Sequence, residues 1–138
     1  MTEILFDDDV PREIKGAALP IVERWAWLVP QWCLWLHVGN TTVLPENGGY
    51  ALSTTREEYR FARITLTPGW LEEAEREREF GIVHELLHIP IAPMHQLMGT
   101  AMEKSENEPY KALVEEQWRK AMEGAVQDLA HALVNHAH

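Results

Sequence analysis

An α+β domain is what this chain predicts, on three observations. Apolar residues recur at helical spacing near the start, in the middle and at the end. Short aromatic and β-branched stretches lie between the first and second of these. The length, 138 residues with 46% hydrophobic and 25% charged, suits one domain over 1–138 with its own core. The expected order is an N-terminal helix, a small mixed β-sheet, a helix bearing a histidine motif and a long C-terminal helix.

Met1 to Asp9 is acidic and reads as an arm. Val10 to Val29 reads as a helix, with Pro11 in its first turn and Ile14, Ala18, Ile21, Val22, Trp25 and Leu28 on one face. Gly16 and Pro20 weaken it or kink it, and Pro30 closes it. Gln31 to Val38 reads as a strand and Gly39-Asn40 as a turn. Thr41 to Leu44 begins a second short strand, 45–49 is a loop, and Tyr50 to Thr54 is a strand fragment. Tyr59 to Leu66 is a further strand, with arginines alternating on a wet face. Thr67-Pro68 reads as a helix start, with Thr67 as N-cap. The charged stretch Trp70 to Glu79, with Glu72 and Arg76 one turn apart, reads as a solvated helix face.

An apolar helix follows from Phe80, and Pro90 and Pro93 end it. Met94 to Met102 is a short helix or loop, and Glu103 to Pro109 a polar connection. Tyr110 to about Asn135 is a long amphipathic helix, its stripe formed by Val114, Trp118, Ala121, Met122, Ala125, Leu129 and Leu133.

The chemistry centres on His84-Glu85-Leu86-Leu87-His88, an H-E-x-x-H sequence inside an apolar run. On a helix, positions i and i+4 share one face, so both imidazoles can hold one metal ion. Glu85 can take a proton from a water that the metal activates. Zinc suits this chemistry: it takes nitrogen and oxygen ligands and acidifies bound water. Histidines and a glutamate on a buried helix need partners, because unpaired buried polar groups are costly.

Catalytic zinc usually has three protein ligands. Helical phase favours Glu115, which shares the edge of the apolar stripe with Trp118 and Met122. Glu116 aligns with Arg119, Lys120 and Glu123 on the polar face and remains an alternative. His95, seven residues past His88, ranks second. None of Tyr110, His95, His131, His136 and His138 has motif support as an oxyanion helper, and the terminal histidines read as solvated.

The net charge of −10 disfavours nucleic acid as a partner and fits a soluble surface. The lone Cys33, among Trp32, Leu34 and Trp35, reads as a buried, inert thiol. No signal peptide and no run of transmembrane length opens the chain, so a cytoplasmic location and no membrane partner are expected.

From the Tyr59–Leu66 strand through the motif to Glu115-Glu116, the chain resembles a minimal zincin-type metallopeptidase domain. It is similar in size and layout to the minigluzincins, as found in small phage and bacterial proteins. The spacing after His88 departs from the metzincin pattern, which has a glycine where this chain has none and a gap one residue shorter. The minigluzincin resemblance implies a zincin-like fold, a Zn2+ cofactor, His84, His88 and Glu115 (or Glu116) as ligands, Glu85 as general base, and a peptide or protein substrate. It also implies that the strand before the motif helix, Tyr59 to Leu66, takes an extended peptide as an added strand.

Three readings follow. The first is a zinc-dependent peptidase. The second is a catalytically silent metal-binding module that recognises a protein partner. The third is a metal-free structural protein with its histidines hydrogen-bonded in the core. Glu85 favours the first, since a structural metal site has no use for a base.

Overall fold

The computed structural model describes residues 2–43 and 60–138, and residues 51–56 as the course of a strand. The expected loop 45–49 and Tyr59 lie outside the described residues. Elements run in the order β1 (Glu3–Phe6), α1 (Arg12–Trp25), β2 (Trp35–Asn40), β3 (Ala51–Arg56), β4 (Phe61–Leu66), α2 (Glu75–Glu103) and α3 (Glu108–Ala137). The fold is α+β, with a four-stranded mixed sheet in the order β1-β2-β4-β3.

The expected acidic arm is in fact strand β1. Its Ile4 and Phe6 pack on the core, which draws the segment into the sheet. It pairs in parallel with β2, placing Ile4 beside Leu36 and Phe6 beside Val38. β2 is parallel to β4, with Leu36 beside Ala62 and Val38 beside Ile64. Leu36, Val38, Ala62, Ile64 and Leu66 are buried and alternate with partly exposed or exposed residues, the period-two pattern of a sheet covered on one face. One cluster joins these side chains to Ala18, Ile21, Val22 and Trp25 of α1, Ile82, Val83, Leu86, Leu87 and Ile89 of α2, and Val126, Ala130 and Val134 of α3. The helices thus form a second layer on that face.

Gly39-Asn40 is not a turn but the end of β2. The glycine has a packing reason: the Arg63–Asp7 ion pair crosses over it, and a Cβ there would overlap both side chains. No strand forms at Thr41–Val43; the Thr41 hydroxyl accepts the Val43 amide in a local bend. The first helix is shorter than expected, because Ala26–Leu28 tightens into a 3₁₀ turn before Pro30.

Thr67-Pro68 opens successive turns rather than a helix. The Trp70 amide bonds back to the Thr67 carbonyl, and Gly69 takes a positive φ of 94°. Trp70 is buried there, its indole donating to the Arg78 carbonyl (3.2 Å), so the chain enters α2 only at Glu75. Glu72 therefore sits in the turns and makes no helical pair with Arg76.

Pro90 and Pro93 do not end α2, which runs on to Glu103. Each proline removes one helical amide, leaving the Leu86 and Ile89 carbonyls without an i+4 donor. Ile91, between the two prolines, packs against the core, and α2 stays in contact with α3. Asn107 caps α3, its Oδ1 accepting the Tyr110 amide (3.1 Å), and Pro109 fits the first turn. No helix among the described residues is long and apolar enough to cross a membrane.

The sheet order corrects one further expectation. β4 is paired on both sides, so the stretch from Phe61 to Leu66 offers no free edge. β3, antiparallel to β4, is the edge strand on that side, and α2 packs beside it.

Candidate metal centre

α2 buries one face in the core through Ile82, Val83, Leu86, Leu87 and Ile89. The motif residues lie on the flank that meets α3. His84 and His88 keep 15% of their side-chain surface and Glu85 keeps 12%. The helix is therefore not apolar all round, and its polar flank is half-buried against the second helix.

The two imidazoles come together as the i, i+4 spacing requires, with Nε2 atoms 3.3 Å apart. The carboxylate that meets them is Glu123. Its Oε2 lies 3.2 Å from His84 Nε2, and its Oε1 lies 3.2 Å from His88 Nε2. Among the described residues, His84, His88 and Glu123 are the group of ligand atoms close enough to hold one metal ion.

Glu115 is exposed and outside this group. It lies eight residues before Glu123, about 12 Å along a helix axis. Glu116 pairs instead with Lys120 at 3.3 Å. His95 is also outside the group, and its Nδ1 accepts the Trp118 indole N–H at 2.8 Å. The expected stripe on α3 is rotated by one residue, about 100°. Val126, Ala130 and Val134 are buried, while Leu129 is 49% exposed. Glu123 stands three residues before Val126, on the inward face. The spacing Glu123–Val126–Ala130–Val134 is the signal in the sequence that points to it, and the stripe through Ala121, Ala125 and Leu129 places Glu123 on the polar face instead.

Two physical tests show that this group fits a cation. The first is proton counting. A neutral imidazole has one N–H, and a carboxylate only accepts. If both N–H groups sit on Nε2, they confront each other; if only one does, two of the three contacts lack a proton. A cation satisfies all three at once. The second test is distance. Tetrahedral zinc, with ligands at 2.0–2.1 Å, has ligand–ligand edges of roughly 3.3 Å. The contacts here are 3.2, 3.2 and 3.3 Å.

Burial lowers the His88 pKa, the neighbouring His84 and His95 add to this, and Glu123 opposes it without reversing it. His88 is thereby favoured in the neutral form that a metal needs. His84 is positioned from behind by Phe80, edge-on at 6.0 Å. Phe80 in turn stacks on His131 of α3 at 3.9 Å.

His131 is therefore not simply solvated, and neither is His138, whose Nε2 lies 2.6 Å from Glu79 Oε2. Glu79 is 2% exposed and also accepts from Arg24 (2.9 Å) and the Trp25 indole (2.7 Å). Cys33 is buried as expected; its thiol donates to the Trp35 carbonyl, and burial pushes its pKa up.

Comparison of the chain with family models, curated proteins and solved structures finds no match. The functional reading therefore stands on the residues themselves.

Proposed function

We propose that this chain is a zincin-like, zinc-dependent peptidase, with His84, His88 and Glu123 as ligands and Glu85 as general base. The observation that carries this reading is the mutual spacing of the three ligand atoms, with a fourth polar side chain from the same helix turn beside them. Zinc bound there would polarise a peptide carbonyl and acidify water. Three protein ligands leave a coordination position for water or substrate.

Glu85 is next to His84 in sequence, its Oε1 4.0 Å from His84 Nε2. From there it accepts the proton of the attacking water and returns it to the leaving amine. Its side chain keeps 12% of its surface exposed, so it is reachable from solvent. The edge strand β3, beside α2, has no second strand partner among the described residues, and such an edge suits an extended peptide. This role passes to β3 from the internal strand β4.

The test is metal analysis of the purified protein, followed by cleavage of a mixed peptide library by wild type and Glu85→Gln. The expected result is one zinc per chain in both proteins. Cleavage by Glu85→Gln should fall by at least about a hundredfold. Zinc retained with no cleavage by wild type would favour a silent metal-binding module. No zinc, and no rise in melting temperature on adding it, would sink the metal reading.

A further inference from the structure

The α2–α3 seam carries a second polar pair, outward of the metal centre. Trp118 Nε1 donates to His95 Nδ1 at 2.8 Å, and the two rings stack with centroids 6.4 Å apart. An indole N–H only donates, so Nδ1 must be the bare nitrogen and the imidazole hydrogen sits on Nε2. Among the described residues no protein group bonds that Nε2, and His95 is exposed. A histidine held in one tautomer, with its remaining N–H open to solvent, is a pre-set donor for a neutral acceptor.

We propose that His95 binds substrate: its Nε2–H donates to a backbone carbonyl of the bound peptide. This rests on the peptidase reading above. His95 lies seven residues beyond His88, about 10 Å along the axis of the same helix. An extended peptide rises about 3.3 Å per residue, so the carbonyl belongs to a residue roughly three positions from the bond cut. The distance is too long for the reacting carbonyl itself. Trp118 is a positioning residue that holds the tautomer. The site accordingly prefers peptides extending at least three residues to one side of the cleaved bond.

The experiment uses the zinc-loaded full chain and the fastest-cleaved member of an internally quenched peptide library, with versions of that peptide shortened from either end. His95→Ala should raise KM about threefold to tenfold, the worth of one neutral hydrogen bond, with kcat and zinc content unchanged. On the peptide shortened past the contacted carbonyl, His95→Ala and wild type should behave alike. Trp118→Phe keeps a ring but removes the donor; its His95 nitrogen NMR shifts should show mixed tautomers where wild type shows Nε2–H alone.

An unchanged KM in His95→Ala on the full-length peptide overturns the proposal and leaves the peptidase reading intact. Loss of zinc in His95→Ala also overturns it, by making His95 a ligand. Wild-type tautomer shifts in Trp118→Phe overturn the positioning role. If zinc-loaded wild type cuts no peptide, the peptidase reading fails first and the proposal falls with it.

Discussion

Glu123→Ala is expected to weaken zinc binding by at least about a hundredfold. Even groups that only orient a metal ligand cost about ten- to a hundredfold when removed, and Glu123 is placed as a ligand itself. Its two oxygens each approach one histidine at 3.2 Å, and among the described residues no other carboxylate joins this group. The side chain is 42% exposed, so its loss should leave the fold intact. Glu115→Ala and Glu116→Ala should bind zinc like wild type, since both side chains are exposed and outside the cluster. Competition against a chromophoric chelator measures the affinities, with circular dichroism as the check on folding. Wild-type affinity in Glu123→Ala would overturn the assignment of the third ligand.

The second large effect is on stability. Glu79 lies in the first turns of α2 and joins three helices: Arg24 and Trp25 from α1, and His138 beyond the end of α3. Replacing it with alanine leaves the Trp25 indole without its acceptor and opens a void at a site 2% exposed. The expected loss is about 3 kcal/mol. For a chain of this length that is a fall of roughly 10 °C in melting temperature.

Acid should have the same effect by titration. Burial alone would raise the Glu79 pKa, but the hydrogen bonds from His138, Trp25 and Arg24 and the Arg24 charge outweigh it, and the net shift is downward. The folded carboxyl therefore binds fewer protons than the unfolded one as pH falls through its ordinary value of 4.5. Its stabilisation is complete above that value and is lost as pH falls through the lower, folded pKa. Melting temperatures followed downward from pH 7, for wild type and Glu79→Gln, should draw together as pH falls below 4.5. Parallel curves would show that Glu79 carries no such linkage.

The motif itself was fully legible in the sequence, because i, i+4 spacing on a helix brings His84 and His88 together whatever surrounds them. The strands of the inner sheet were legible for a similar reason: alternation in Phe61–Leu66 is a local pattern with one outcome. What failed was set by partners far away in sequence. Gly39 looks like turn chemistry, but it makes room for Asp7 and Arg63. Met1 to Asp9 looks like a polar arm, but Ile4 and Phe6 find partners on β2. Pro90 and Pro93 are strong local stops, yet α2 runs through them to Glu103, with Ile91 between them packed on the core. The third ligand depended on rotating α3 by one residue, which composition alone does not fix.

The passage of α2 through its prolines bears on how the molecule opens. The buried residues of α2 end at Ile89 and those of α3 begin at Val126, so residues 90–125 form a helical hairpin with no fully buried side chain. A segment of that kind separates from the body at a free energy well below that of global unfolding. His84 and His88 stand on the anchored side of this boundary, and Glu123 stands on the hairpin side. An ion gripping all three would act as a latch across the boundary. While the site is near saturation, each tenfold rise in free zinc would make release of the hairpin about 1.4 kcal/mol harder.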